Sequence, residues 1–204
     1  MQLELEHVTI DYGPRRVMEH ISLSLRQGEV LVVAGANGSG KSSLLRVLCG
    51  LQRPSGGSVA YIVDGARYRP EAASGLVGWV APDLQLYREL TALENLAFFA
   101  SVRGLRRGRA ELERLLDEVG LGGRGDDLLA TFSSGMAYRL KYAYALLHEP
   151  PVLLLDEPTV MLDERGAALV ESVIQRQRQR GVAVIATNDQ RELRHGDYLL
   201  RLGV

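Results

Sequence analysis

Residues 35–42 read Gly-Ala-Asn-Gly-Ser-Gly-Lys-Ser, and the five residues before them, Val30-Leu31-Val32-Val33-Ala34, are all apolar. No other feature restricts the fold so tightly. A continuous apolar run of this length is a strand covered on both faces. Lys41-Ser42-Ser43-Leu44-Leu45-Arg46-Val47-Leu48 then reads as an amphipathic helix. Strand, glycine-rich turn and helix in that order are what a phosphate group needs. Glycines at 35, 38 and 40 allow successive N–H groups to curl around phosphate oxygens. The helix start adds a positive partial charge. The pattern GxxxxGK[ST] makes Gly35, Ala36, Asn37, Gly38, Ser39, Gly40, Lys41, Ser42 and Ser43 the candidate triphosphate-binding residues. Lys41 is aimed at the β- and γ-phosphates and the Ser42 hydroxyl at Mg²⁺. A turn that merely joins strand to helix has no need of the lysine. Only two lysines occur in the chain, Lys41 and Lys141, the other basic residues being arginines or histidines.

The rest of the chain supplies the layers such a strand requires. Leu3, Leu5, Val8 and Ile10 suggest one strand, Val17 to Leu25 a second, and Ser58 to Val63 another after the Pro54-Ser55-Gly56-Gly57 turn. Gly78-Trp79-Val80 reads as a strand end. From Thr91 the spacing turns helical, with Thr91 and Glu94 as a capping box. A second amphipathic segment runs through Leu112, Leu115, Leu116 and Val119 to Gly120, and a third from about Gly135 to Leu147. Val152 to Leu155 and Val182 to Ala186 are again apolar runs, joined by a helix over 164–180. The expected fold is α/β, a P-loop NTPase core with a mixed sheet flanked by helices. It adds an antiparallel β subdomain at the N-terminus and an inserted helical subdomain. At 204 residues this is one domain, with the core at 1–82 and 151–204 and the insertion at 83–150.

The strand over 152–155 delivers Asp156-Glu157. Beside a phosphate loop, Asp156 is the candidate second Mg²⁺ ligand, and Glu157 is placed to orient or deprotonate an attacking water. Net charge is −1, which gives no pull toward nucleic acid. The arginine-rich stretches at 103–109 and 176–180 read as solvated surface. Cys49 is the single cysteine, so no intrachain disulfide is expected. The four histidines are scattered without metal-ligand spacing. No apolar stretch approaches bilayer length, and the N-terminus lacks a signal peptide's apolar region. A cytoplasmic chain is expected, with any membrane part supplied by another polypeptide.

Across essentially its full length the chain resembles the nucleotide-binding subunit of ATP-binding cassette (ABC) transporters. Tyr12, in Asp11-Tyr12-Gly13, matches the aromatic that stacks on adenine. Phe132-Ser133-Ser134-Gly135-Met136 stands at the LSGGQ signature, with Arg139 just after it. The resemblance implies that Ser133 and Gly135 touch the γ-phosphate of ATP held by a second subunit. Glu157-Pro158-Thr159 and Leu162-Asp163 match the stretch from the catalytic Glu to the D-loop. Two MgATP between two subunits, identical or paired, and a separate transmembrane permease on the cytoplasmic side of the membrane are implied likewise. The short chain, with no further domain after Val204, most resembles the compact subunits of ABC-2-type exporters and of the haem exporter of cytochrome c maturation. Three departures stand out. Pro82 occupies the place of the Q-loop glutamine, with Gln85 three residues on as a candidate substitute. Asn188, in Thr187-Asn188-Asp189, replaces the usual histidine and keeps a donor without a charge. Val160 and Met161 replace small D-loop residues. With Lys41 and Glu157 kept, hydrolysis is expected, either slowed by these departures or supported by a different set of residues around the site. Two alternatives stay open at this level: an ATP-driven switch acting on a soluble partner, and a cassette that leaves hydrolysis to its partner.

Overall fold

The computed structural model describes residues 1–203, apart from the Arg15 side chain. Its parallel and antiparallel strands segregate into two sheets instead of sharing one. β1 (Gln2–Tyr12), β2 (Arg15–Arg26), β4 (Gly56–Val63) and β5 (Ala66–Tyr68) form the antiparallel sheet, in the order β2-β1-β4-β5. β3 (Val30–Gly35), β6 (Val77–Val80), β7 (Val152–Asp156), β8 (Val182–Thr187) and β9 (Tyr198–Leu202) form the second, in the order β6-β7-β8-β3-β9. Every pairing in this second sheet is parallel.

The apolar runs explain why the parallel sheet is central. Side chains alternate across a strand, so a run without polar residues must be covered twice. Leu31, Val33, Val152, Leu154, Val182 and Val184 pack on one side against α1 (Lys41–Leu48) and the antiparallel sheet. Their neighbours Val30, Val32, Leu153, Leu155, Ala183 and Ile185 pack on the other side with the remaining helices. These are α2 (Ala92–Val102), α3 (Arg109–Glu118), α4 (Ser134–Leu146) and α5 (Glu164–Arg180).

In β1 the buried residues Leu3, Leu5, Val8 and Ile10 break a strict alternation after Leu5. A register shift between Leu5 and Val8, with His7 at φ 50°, absorbs the extra residue as a bulge. The Thr91 capping box forms as the spacing predicts. Thr91 Oγ1 accepts from the Glu94 N–H at 3.1 Å, and the Glu94 carboxylate accepts from the Thr91 N–H at 2.8 Å. The third helix begins at Ser134, one residue before the sequence reading, because Ser133 caps it. β5, β9 and three short 3₁₀ turns are additional to the elements read from the sequence. Cys49 is partly buried at the C-terminal end of α1. No helix among the described residues is long and apolar enough to cross a membrane.

Candidate functional site

The site lies where β3 and β7 end, with β8 between them, at the carboxyl edge of the parallel sheet. Open α/β sheets bind ligands along this edge, because the loops that leave the strands converge there. The turn after β3 is set by glycines. Gly40 has φ 104°, and a Cβ on it would lie 2.1 Å from Val17 Cγ1, so a side chain fits neither the backbone nor the space. α1 therefore starts at Lys41 with its first N–H groups directed at the turn.

Lys41 is 6% exposed and fully engaged. Its ammonium donates to Gly35 O at 2.9 Å and Ala36 O at 3.2 Å, and stands 3.4 Å from Glu157 Oε1. The Ser42 hydroxyl lies beside the Asp156 carboxylate and favours its charged form, yet burial, the larger effect, pushes that carboxyl above the usual range. Tyr12 is brought to the same rim. Its hydroxyl shares a hydrogen bond with Ser43 Oγ at 3.0 Å and donates to Gln52 Oε1 at 2.8 Å. Tyr12, Asn37, Gly38, Gly40, Lys41, Ser42, Ser43, Asp156 and Glu157 thus line one groove, together with Val17 and Pro82.

Glu157 sits at φ 46°, in the left-handed region that costs a side-chain-bearing residue on the order of 1 kcal/mol. α4 and β8 hold it there. The Tyr138 hydroxyl reaches Asp156 O at 3.2 Å and Glu157 O at 2.9 Å, and the Tyr142 hydroxyl donates to Pro158 O at 2.8 Å. Glu157 N–H donates to Ala186 O at 2.8 Å. The twist turns the carboxylate toward both Lys41 and Asn188, whose N–H donates to Glu157 Oε2 at 3.3 Å. Asn188 Nδ2 donates to Asn37 Oδ1 at 3.0 Å, so a side-chain amide joins the phosphate loop to the end of β8.

The remaining expected residues lie elsewhere. Ser133 caps α4 by accepting from the Met136 N–H at 3.2 Å, and Gly135 follows in the first turn. Neither lines the groove formed by residues of this chain. Arg139 pairs with Asp163 at 2.9 Å, tying α4 to the start of α5. Gln85 is exposed and also stands outside the groove lining, where Pro82 is present. Ala36 contributes its carbonyl to Lys41. Ser39 Oγ is buried without a partner among the described residues, and Gly35 leaves room for it.

Several contacts escape a reading by motif. Tyr138 and Tyr142 look like core residues one helical turn apart. Only the need of a buried hydroxyl for a partner marks them. Lys141 donates to Ala81 O at 3.2 Å and Pro82 O at 2.6 Å, pinning the segment beside the groove. For a metal, Ser42 Oγ and the Asp156 carboxylate form a hard-oxygen pair suited to Mg²⁺, which takes few protein ligands and completes its shell with phosphate and water. No group of three or more His, Cys, Asp or Glu side chains capable of holding a metal occurs among the described residues.

The family profile described as ABC transporter matches residues 18–160. The linearmycin resistance ATP-binding protein LnrL of Bacillus subtilis is 34% identical over 194 residues, covering 93% of this chain and 62% of LnrL. The hemin import ATP-binding protein HrtA of Staphylococcus haemolyticus, itself assigned by inference, is 32% identical over 214 residues, covering 99% of this chain and 97% of HrtA. The chain therefore spans less than two thirds of the first relative and nearly all of the second. A solved ATP-binding subunit of an ABC transporter superposes with a TM-score of 0.84 at 29% identity, over 99% of this chain and 86% of that one.

Proposed function

Because the chain belongs to the ABC transporter family, whose ATP-binding subunits hydrolyse ATP in membrane transport systems, we propose that two copies close head-to-tail on two MgATP. The observation that carries this reading is the shared groove of Tyr12, Lys41, Ser42, Asp156 and Glu157. Tyr12 stacks on adenine, with its hydroxyl steadied by Ser43 and Gln52. N–H groups of residues 35–43 and the Lys41 ammonium hold the phosphates. Ser42 and Asp156 hold Mg²⁺, which supplies charge neutralisation along the phosphate chain. Glu157 takes the proton of the attacking water, and Asn188 offers a neutral donor beside it. Ser133 and Gly135 cover the γ-phosphate from the second copy, so that nucleotide acts as the adhesive of the dimer.

In this reading the core over 1–82 and 151–204 binds nucleotide, and the insertion over 83–150 docks a separate permease on the cytoplasmic face of the membrane. The relatives named for ATP-binding roles in resistance and hemin transport support an association of this kind. The test is light scattering of the purified chain with and without MgATP, in wild type and Glu157→Gln. A species of doubled mass that requires both MgATP and the slowed variant is expected. A mass unchanged by MgATP in both proteins would overturn the dimer.

A further inference from the structure

Close to the groove lies a third carboxyl, besides Asp156 and Glu157, that the reading above leaves without a role. Glu192 is 4% exposed, in the 3₁₀ turn over Gln190–His195 that follows β8. Its Oε1 accepts from Thr159 Oγ1 at 2.5 Å, and the Thr187 hydroxyl lies close enough to favour its charged form. Its Oε2 is buried with no partner among the described residues. Among the described residues it makes no ion pair; the carboxylates Asp189 and Glu157 act against its charge, and the neighbouring Arg191, which acts the other way, is paired with Asp189. Burying such a group costs free energy that an apolar residue of similar size would not incur.

Its two threonine neighbours lie next to the chemistry. Thr159 is two residues beyond Glu157, ahead of the exposed Val160 and Met161. Thr187 directly precedes Asn188 and is itself fully buried, its hydroxyl accepting from the Asp189 N–H at 2.9 Å. The Thr159–Glu192 bond is therefore a second link between the two segments that the Asn188 N–H and Glu157 Oε2 also join.

We propose that Glu192 is a positioning residue, a buried clamp that fixes the segment after Glu157 against the segment carrying Asn188. A displacement at Val160 and Met161 then reaches Asn188 through hydrogen bonds. This inference rests on the reading that Glu157 and Asn188 flank the attacking water. Without the clamp, nucleotide still meets the phosphate loop, and the carboxylate and the amide lose their mutual register.

The experiment compares ATP turnover for Glu192→Ala, Glu192→Gln, Thr159→Val and the Glu192→Ala/Thr159→Val double variant, with Glu157→Gln as control. A misplacement of about 1 Å is worth up to about 100-fold in rate, and a partial loosening about tenfold. A fall of about tenfold in kcat is expected for Glu192→Ala and Thr159→Val, with KM for ATP within about twofold. The double variant should be no worse than either single one, and Gln, which keeps an acceptor for Thr159, should recover most of the loss. Should Glu192→Ala fail to fold, Thr159→Val and Glu192→Gln carry the comparison. Wild-type kcat in Thr159→Val overturns the clamp, as does a loss in KM that matches any loss in kcat. Full turnover in Glu157→Gln overturns the reading of the groove itself, and the clamp with it.

Discussion

Lys41 Nζ and Glu157 Oε1 stand 3.4 Å apart, so the loop's cation and the acid at the end of β7 share one largely buried spot. In the proposed reading a triphosphate seated on the loop would compete with Glu157 for that cation, so that one event would act on both groups.

Lys41→Ala removes a charge-assisted donor and leaves Glu157 without its partner. Hydrogen bonds to charged groups contribute about 1.5–3 kcal/mol, which is about 10- to 150-fold in affinity. Isothermal calorimetry should show ATP binding weakened by at least tenfold. Unchanged affinity would remove the phosphate-loop assignment.

Glu157→Gln keeps the side chain's shape, and its amide can still meet the Asn188 N–H through its oxygen. It loses the ability to accept a proton and removes a negative charge facing the phosphates. Turnover should drop by about 100-fold or more, while ATP affinity holds or rises. A turnover equal to that of wild type would mean that wild-type hydrolysis does not pass through Glu157, and would favour a cassette that leaves chemistry to a partner.

What the sequence revealed and what it hid divide along one physical line. The capping box at Thr91, the doubly covered strands and the glycine-built turn before Lys41 are local. Their residues satisfy one another within a few positions, so spacing alone identifies them. Tyr138 and Tyr142 reach carbonyls at 156–158 from 16 to 19 positions away. Asn37 meets Asn188 across 151 positions. Such partners exist only once the sheet order β7-β8-β3 brings the strand ends together, and no periodicity announces them. Tyr198–Leu202 was hidden for a related reason: a short edge strand half open to solvent carries a weaker apolar signal than a covered one.

Asn188→His tests whether the departure at the end of β8 slows catalysis. Asn188 Nδ2 is engaged by Asn37 Oδ1 at 3.0 Å, so its donor is directed at the loop. An imidazole there can donate and can also carry charge. If the amide is the weak element, kcat should rise by up to about 100-fold, the lower end of the 10²–10³ typical of a well-aimed donor. A flat kcat with intact ATP binding would show that this chain hydrolyses with a different set of supporting residues.

His148 gives a pH test that is independent of nucleotide. Its Nε2 lies 3.1 Å from Val77 O, at the start of β6, and so carries the proton as a donor. Its Nδ1 is buried without a partner among the described residues, and the Arg103 guanidinium lies 3.5 Å from the ring. Burial first and Arg103 second lower its pKa from 6.5 to about 4. The folded chain thus resists a proton that the unfolded chain accepts. The stabilising contribution is complete above about pH 6.5 and drains away as pH falls toward about 4. Discounted for the ring's partial exposure, the loss is on the order of 2 kcal/mol, or about 5 °C in Tm. His148→Gln keeps a donor for Val77 O and cannot titrate in this range. Across thermal melts from pH 7 to 4.5, its Tm should fall less steeply than that of wild type. Parallel curves would place a charged imidazole comfortably at this site and refute the burial argument.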